Sequence, residues 1–151
     1  LFLRFFPLQK IYFGYKFTLS EIVYIWVSGA VTMLLVVNIL LKNMWGRARP
    51  NDVSYFNGFQ DFTPWYKISN ACASNCSFVS GDSSVGFLLI VFYFITKKNV
   101  YLYLGLVLGS LLGFIRIAAG GHFFSDIIFS QIIVTVTILT SFVLYKKLYD
   151  K

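Results

Sequence analysis

The stretch Arg116-Ile-Ala-Ala-Gly-Gly-His122-Phe-Phe-Ser-Asp126 joins two strongly apolar runs and holds the chain's one histidine. Ionisable side chains at the edge of a hydrocarbon layer are unfavourable unless something there requires them. The paired glycines interrupt the apolar pattern and turn the chain back, so the stretch reads as the bend of a membrane helical hairpin. Its three ionisable groups sit together at that bend.

Working outward, residues 100–119 precede the bend and residues 127–145 follow it, and each run is long enough to span a bilayer, which takes about 20 residues. Residues 22–41 form a third such run. A fourth, ending at Thr96, reaches that length only if its helix begins near Gly81, and it turns into the 100–119 run through Lys97, Lys98 and Asn99. The expected fold is therefore all-α, a transmembrane bundle of about four spanning helices. Residues 1–20, a Phe/Tyr-rich segment with Arg4, Lys10, Lys16 and Pro7, read as an interfacial lead or as the remnant of a further span. The chain starts at Leu1 without a methionine or signal-peptide pattern, and reads as one N-terminally truncated domain over residues 1–151.

Composition supports this. Of 151 residues, 58% are hydrophobic and 13% charged, and the mean hydropathy is +0.72. A soluble domain of this size could not cover that much apolar surface. The formal net charge of +7 brings nucleic acid to mind, but no basic face interleaved with polar residues exists to bind it. The cations gather instead at the ends of apolar runs. With the N-terminus inside, Arg4, Lys10, Lys16, Lys97, Lys98, Lys146, Lys147 and Lys151 face the cytoplasm, and Lys42, Arg47, Arg49, Lys67 and Arg116 face outward. Residues 51–78 then form an outer loop. Its two cysteines, Cys72 and Cys76, read equally as a small disulfide loop or as two thiols, and with no second pair beside them they do not suggest a metal site.

Two further polar clusters fall on the outer face: Lys42-Asn-Met-Trp-Gly-Arg47-Ala-Arg49-Pro50, and Ser80-Gly81-Asp82. Arginine's planar fork matches a phosphate, so Arg49 and Arg116 are the main candidates to hold one, with Lys42 as a compact third charge and Arg47 as an auxiliary. Ser80 and Gly81 stand where a helix should begin, which by itself is ordinary capping. The free amides of a first turn also favour an anion. A lone histidine is most often a packed imidazole. With Asp126 four residues on and Arg116 six before, His122 reads instead as a nucleophile whose other nitrogen Asp126 orients.

Taken together, these clusters resemble the signature of the type 2 phosphatidic acid phosphatase superfamily: Lys-x6-Arg-Pro, then Pro-Ser-Gly-His, then Ser-Arg-x5-His-x3-Asp. Lys42, Arg49 and Pro50 match the first part, Ser80 and Gly81 the second, and Arg116, His122 and Asp126 the third. Val79, Ile115 and Asp82 depart from it, and Asp82 stands where the family has its general acid. The strings Met44–Pro50, Asn75–Ser84 and Gly120–Asp126 are similar to the bacterial lipid A 4'-phosphatase branch, the acidic residue included. The resemblance implies a multi-pass inner-membrane phosphoric monoester hydrolase, without metal or other cofactor, whose site opens to the periplasm. Its partners would be the bilayer and a phosphorylated lipid. His122, Asp126 and Asp82 would be catalytic, Asp82 as an acid or as a group that orients substrate or an arginine. A phosphatase for an isoprenoid pyrophosphate or glycerolipid phosphate, or a truncated lipid-binding protein without turnover, remains open at this point.

Overall fold

The structure is a computed structural model that describes residues 15–149, so most of the interfacial lead expected over residues 1–20 lies outside the described residues. Four helices carry the fold: α1 (Leu19–Lys42), α2 (Gly81–Thr96), α3 (Asn99–Ala118) and α4 (Phe124–Tyr149). Among the described residues there is no strand, only a single bridge between Val53 and Gln60 in the loop between α1 and α2.

Helix α1 starts within the expected lead, because Thr18 caps it. The Thr18 side chain accepts from the Glu21 amide while the Glu21 carboxylate accepts from the Thr18 amide at 2.8 Å, which satisfies two amides that the helix cannot pair internally. The winding is α-helical through Ala30 and opens to i→i+5 bonding from Val31 to Lys42. The buried residues follow that change: Tyr24, Ser28 and Thr32 are four apart, whereas Val37 comes five later. Five further on is Lys42. The wider winding thus delivers the lysine to the inward face of the helix. The outward face carries Leu19, Val23, Trp26, Val27, Leu34 and Leu35 and is suited to lipid.

Three of the four helices are long and apolar enough to cross a membrane. Helix α2 is shorter; at about 1.5 Å per residue it measures ~24 Å against a hydrocarbon core of about 30 Å. It does begin at Gly81, as the span required, but it starts deep. The Ser83 hydroxyl donates to the Gly109 carbonyl at 2.7 Å, well before the end of α3. The segment leading into α2 therefore dips into the end of the bundle.

The α2–α3 contact explains the glycines of α3. Gly105, Gly109 and Gly113 are buried at every fourth position. A Cβ at Gly86 of α2 would come to 2.5 Å from the Gly109 Cα, so the two backbones touch. Ile90 covers Gly105, Phe87 covers Gly109 and Ile127 covers Gly113, and with Tyr24, Val91, Val134 and Ile138 they form the main core. A smaller core, Val37, Phe78 and Val79 against Trp45 and Phe129, seals the end of the bundle where α1 closes and α2 opens.

Candidate active site

All three polar clusters lie at one end of the bundle: Lys42 closes α1, Ser80 and Gly81 open α2, Arg116 is in the last turn of α3, and His122 and Asp126 flank the start of α4. The bend between α3 and α4 is fixed locally. The Gly121 amide donates to the Arg116 carbonyl and the Gly120 amide to the Ile117 carbonyl, both at 2.9 Å, which is a Schellman stop with Gly120 in the left-handed region at φ +66°. The Asn51 side chain donates to the Ala119 carbonyl at 3.1 Å and the Asn51 amide to that of Gly120, so the Arg49-Pro50-Asn51 segment is clamped to the bend.

Gly121 brings Arg116 in close, since a Cβ there would lie 3.1 Å from Nη2 of its guanidinium. Arg116 Nε is 3.0 Å from Asp82 Oδ2, off the line of a hydrogen bond, and both side chains are partly exposed. Gly81 does the same for Lys42: a Cβ would meet Nζ at 3.1 Å. The Lys42 ammonium also donates to Asn75 Oδ1 at 3.1 Å, while Arg49 directs Nε (3.3 Å) and Nη2 (2.8 Å) at the Asn75 carbonyl. The charges that act on Lys42 are those of Arg49, Asp82 and Arg116. Lys42, Arg49, Arg116 and Asp82 therefore form one cluster.

Ser80 caps α2, accepting from the Ser83 amide at 3.4 Å. Its carbonyl accepts from the Ser84 and Ser130 hydroxyls at 2.7 and 2.9 Å, which ties the start of α2 to α4. The amides of Gly81 and Asp82 belong to the unpaired first turn beside Lys42.

Behind the cluster lies a buried layer. His122 is 1% exposed and Asp126 fully buried. His122 Nδ1 is 2.7 Å from the Ser77 carbonyl oxygen and 3.6 Å from Asp126 Oδ2. His122 and Asp126, four residues apart, are not a pair on one helical turn, because α4 begins only at Phe124. The nearest acceptor for His122 is accordingly a backbone carbonyl, with the carboxylate beside it. Asp126 accepts from the Phe123 amide at 2.9 Å, from Ser77 Oγ at 2.5 Å and from Arg47 Nη1 at 2.5 Å.

Arg47 is thus not where an auxiliary phosphate ligand would be. It is 2% exposed, donates also to the Thr63 carbonyl and Ser125 Oγ at 2.9 Å each, and lies over the Phe123 ring at 4.1 Å. Burial holds its pKa below the usual arginine value, with Asp126 only partly opposing that. The loop between α1 and α2 packs around this layer: the Ser77 amide donates to the Arg47 carbonyl, and the Trp45 indole to the Trp65 carbonyl. Cys72 and Cys76 are joined in a disulfide, which closes the short loop carrying Asn75.

Ser77, Asn75 and Ser130 escape a reading of the sequence. They act through backbone carbonyls, single hydroxyls or one amide oxygen, and nothing in their spacing separates them from neighbouring serines and asparagines.

Residues 22–150, nearly the whole described chain, match the PAP2 superfamily. The chain belongs to the PAP2 superfamily. This is the superfamily whose three-part signature its polar clusters resemble. Among curated relatives, it is 44% identical over 121 residues to the lipid A 4'-phosphatase of Francisella tularensis subsp. novicida, covering 78% of this chain and 53% of that protein. To the lipid A 4'-phosphatase of Rhizobium etli it is 36% identical over 97 residues, 62% of this chain and 38% of that one. To that of Rhizobium leguminosarum it is 35% identical over 98 residues, 63% and 42%. This PAP2 chain spans about half the length, or less, of the curated relatives it matches. No solved structure matches it.

Proposed function

We propose that this chain carries the reaction centre of a membrane lipid phosphatase, hydrolysing a phosphate monoester on a lipid headgroup, the 4'-phosphate of lipid A, through a phosphohistidine at His122. The observation that carries the reading is the 2.7 Å contact between His122 Nδ1 and the Ser77 carbonyl oxygen. A carbonyl oxygen has no proton to give, so Nδ1 facing the Ser77 carbonyl must hold the ring's proton, and Nε2 has a free lone pair.

Lys42, Arg49 and Arg116, with the first amides of α2, neutralise and orient the phosphate. His122 Nε2 attacks phosphorus in line as the bond to the headgroup oxygen breaks. Asp126 lowers the energy of the cationic ring that results. Asp82 rests against Arg116; once the phosphate, arriving as its monoanion, takes over the guanidinium, the phosphate's proton passes to the freed Asp82 carboxylate and from there to the leaving oxygen. Water then gives a proton to the Asp82 carboxylate and attacks phosphorus, the P–N bond breaks with its electron pair returning to His122 Nε2, and phosphate leaves. The substrate assignment is supported by the three relatives named for it. The distribution of cations supports an inner-membrane chain with this end of the bundle in the periplasm.

The test is phosphate release by the full chain in vesicles, offered lipid A, undecaprenyl pyrophosphate or phosphatidic acid in turn. Lipid A losing only its 4'-phosphate by mass spectrometry, with activity abolished in His122→Ala, is the expected result. Turnover confined to another lipid reassigns the substrate; retained turnover in His122→Ala removes the phosphohistidine.

A further inference from the structure

Behind His122, three residues close a ring of buried hydrogen bonds. The Ser77 amide donates to the Arg47 carbonyl at 2.9 Å, Arg47 Nη1 donates to Asp126 Oδ1 at 2.5 Å, and Ser77 Oγ donates to Asp126 Oδ2 at 2.5 Å. Ser77 and Asp126 are completely buried and Arg47 nearly so. His122 joins this ring through the Ser77 carbonyl, 2.7 Å from Nδ1. The carboxylate oxygen at 3.6 Å is beyond hydrogen-bonding range of the same nitrogen.

We propose that Ser77 is the positioning residue for the His122 nucleophile, its carbonyl holding the ring and its hydroxyl tying that peptide to Asp126. Asp126 thus acts on the imidazole through Ser77. The inference rests on the phosphatase reading above and adds to it a residue outside the three signature motifs.

The physical argument concerns which acceptor the ring is offered. Asp126 Oδ2 already receives the Ser77 hydroxyl and the Phe123 amide. With those two donors in place, the carboxylate is held back from Nδ1 and the ring settles on the neutral carbonyl. That choice fixes the proton on Nδ1 and the direction of Nε2. When Nε2 bonds to phosphorus and the P–O bond breaks, the ring keeps its Nδ1 proton and becomes cationic. The Asp126 carboxylate then stabilises that charge without having moved.

The chain has a single histidine, so nitrogen-15 histidine labelling of the full chain in lipid nanodiscs reports this one ring. In the unsubstituted chain the spectrum should have a protonated Nδ1 and a bare Nε2. Ser77→Ala keeps the carbonyl but removes the hydroxyl; the Nδ1 resonance should move as Asp126 takes over the contact. Misdirection of the nucleophile should lower kcat roughly tenfold to a hundredfold while KM stays within about twofold. Ser77→Thr should restore both readouts, and the loss in the Ser77→Ala, Asp126→Asn double variant should fall short of the product of the two single losses, because the residues are coupled.

A proton on Nε2 in the unsubstituted chain overturns the proposal, whether or not any variant folds. So does an unchanged spectrum and kcat in Ser77→Ala, or losses that multiply in the double variant. The expected spectrum in a chain that turns over no phosphate ester overturns the phosphatase reading instead, and leaves the Ser77 contact standing.

Discussion

Arg47 and Asp126 meet in a salt bridge of 2.5 Å with side chains 3% and 0% exposed, between an extended segment after α1 and the first turn of α4. Removing one partner from such a pair leaves a buried charge uncompensated. Arg47→Met, close in length, should therefore destabilise the fold by about 3–5 kcal/mol. The melting temperature in detergent should fall on the order of 10 °C. Arg47→Lys should recover part of the loss, since an ammonium reaches Asp126 but cannot also serve Thr63 and Ser125 with a planar fork. A melting temperature unchanged in Arg47→Met would mean that Ser77 and Phe123 suffice to hold the carboxylate.

The contact between Gly86 and Gly109 sets the depth of α2, and with it the position of Ser80 and Gly81. Gly86→Ala drives a methyl group into backbone that has no rotamer to change. We expect a loss of about 1–3 kcal/mol and a drop in phosphate release as α2 shifts. Gly29→Ala is the control, because nothing lies within 4 Å of its Cβ position. There the better helix propensity of alanine should leave stability unchanged or raise it by up to about 1 kcal/mol. Equal behaviour of the two variants would remove the close approach as a determinant of the site.

Much of this arrangement is legible in the sequence, for reasons that differ along the chain. Helices α3 and α4 follow from continuous apolar runs separated by Gly120 and Gly121, and the glycine stripe of α3 does pack as its spacing suggests. Lys42, Arg49, Asp82 and Arg116 converge because antiparallel helices return the ends of successive runs to one face. What escapes is contact through the main chain. His122 faces a carbonyl that any residue at position 77 would possess, so no side-chain pattern announces it. Arg47 and Arg49 look alike in sequence, and only the packing of Phe62, Thr63 and Phe123 buries the first and leaves the second beside Lys42.

Asn75 occupies two of the three cations, through Oδ1 to Lys42 and through its carbonyl to Arg49. A phosphate arriving at Lys42 has to displace Oδ1. Asn75 has φ +50°, a left-handed backbone that glycine adopts freely, so Asn75→Gly removes the competing oxygen without disturbing the turn. One exposed hydrogen bond is worth on the order of 1 kcal/mol, so inhibition by inorganic phosphate should tighten roughly twofold to fivefold. Weaker inhibition would instead make Asn75 Oδ1 part of the phosphate site.

The pairing of Asp82 with Arg116 separates two roles that substitution alone would confuse. Asp82→Asn keeps the shape and the ability to face the guanidinium, but it cannot deliver a proton. If Asp82 protonates the leaving sugar oxygen, the variant should lose about a hundredfold or more in kcat on lipid A. The loss should nearly vanish on p-nitrophenyl phosphate, whose leaving group departs without a proton. If Asp82 only orients Arg116, both substrates should suffer alike, and Arg116→Lys should reproduce that uniform loss because a point charge cannot replace the fork. The ratio of the two kcat losses in Asp82→Asn decides between an acid and an anchor.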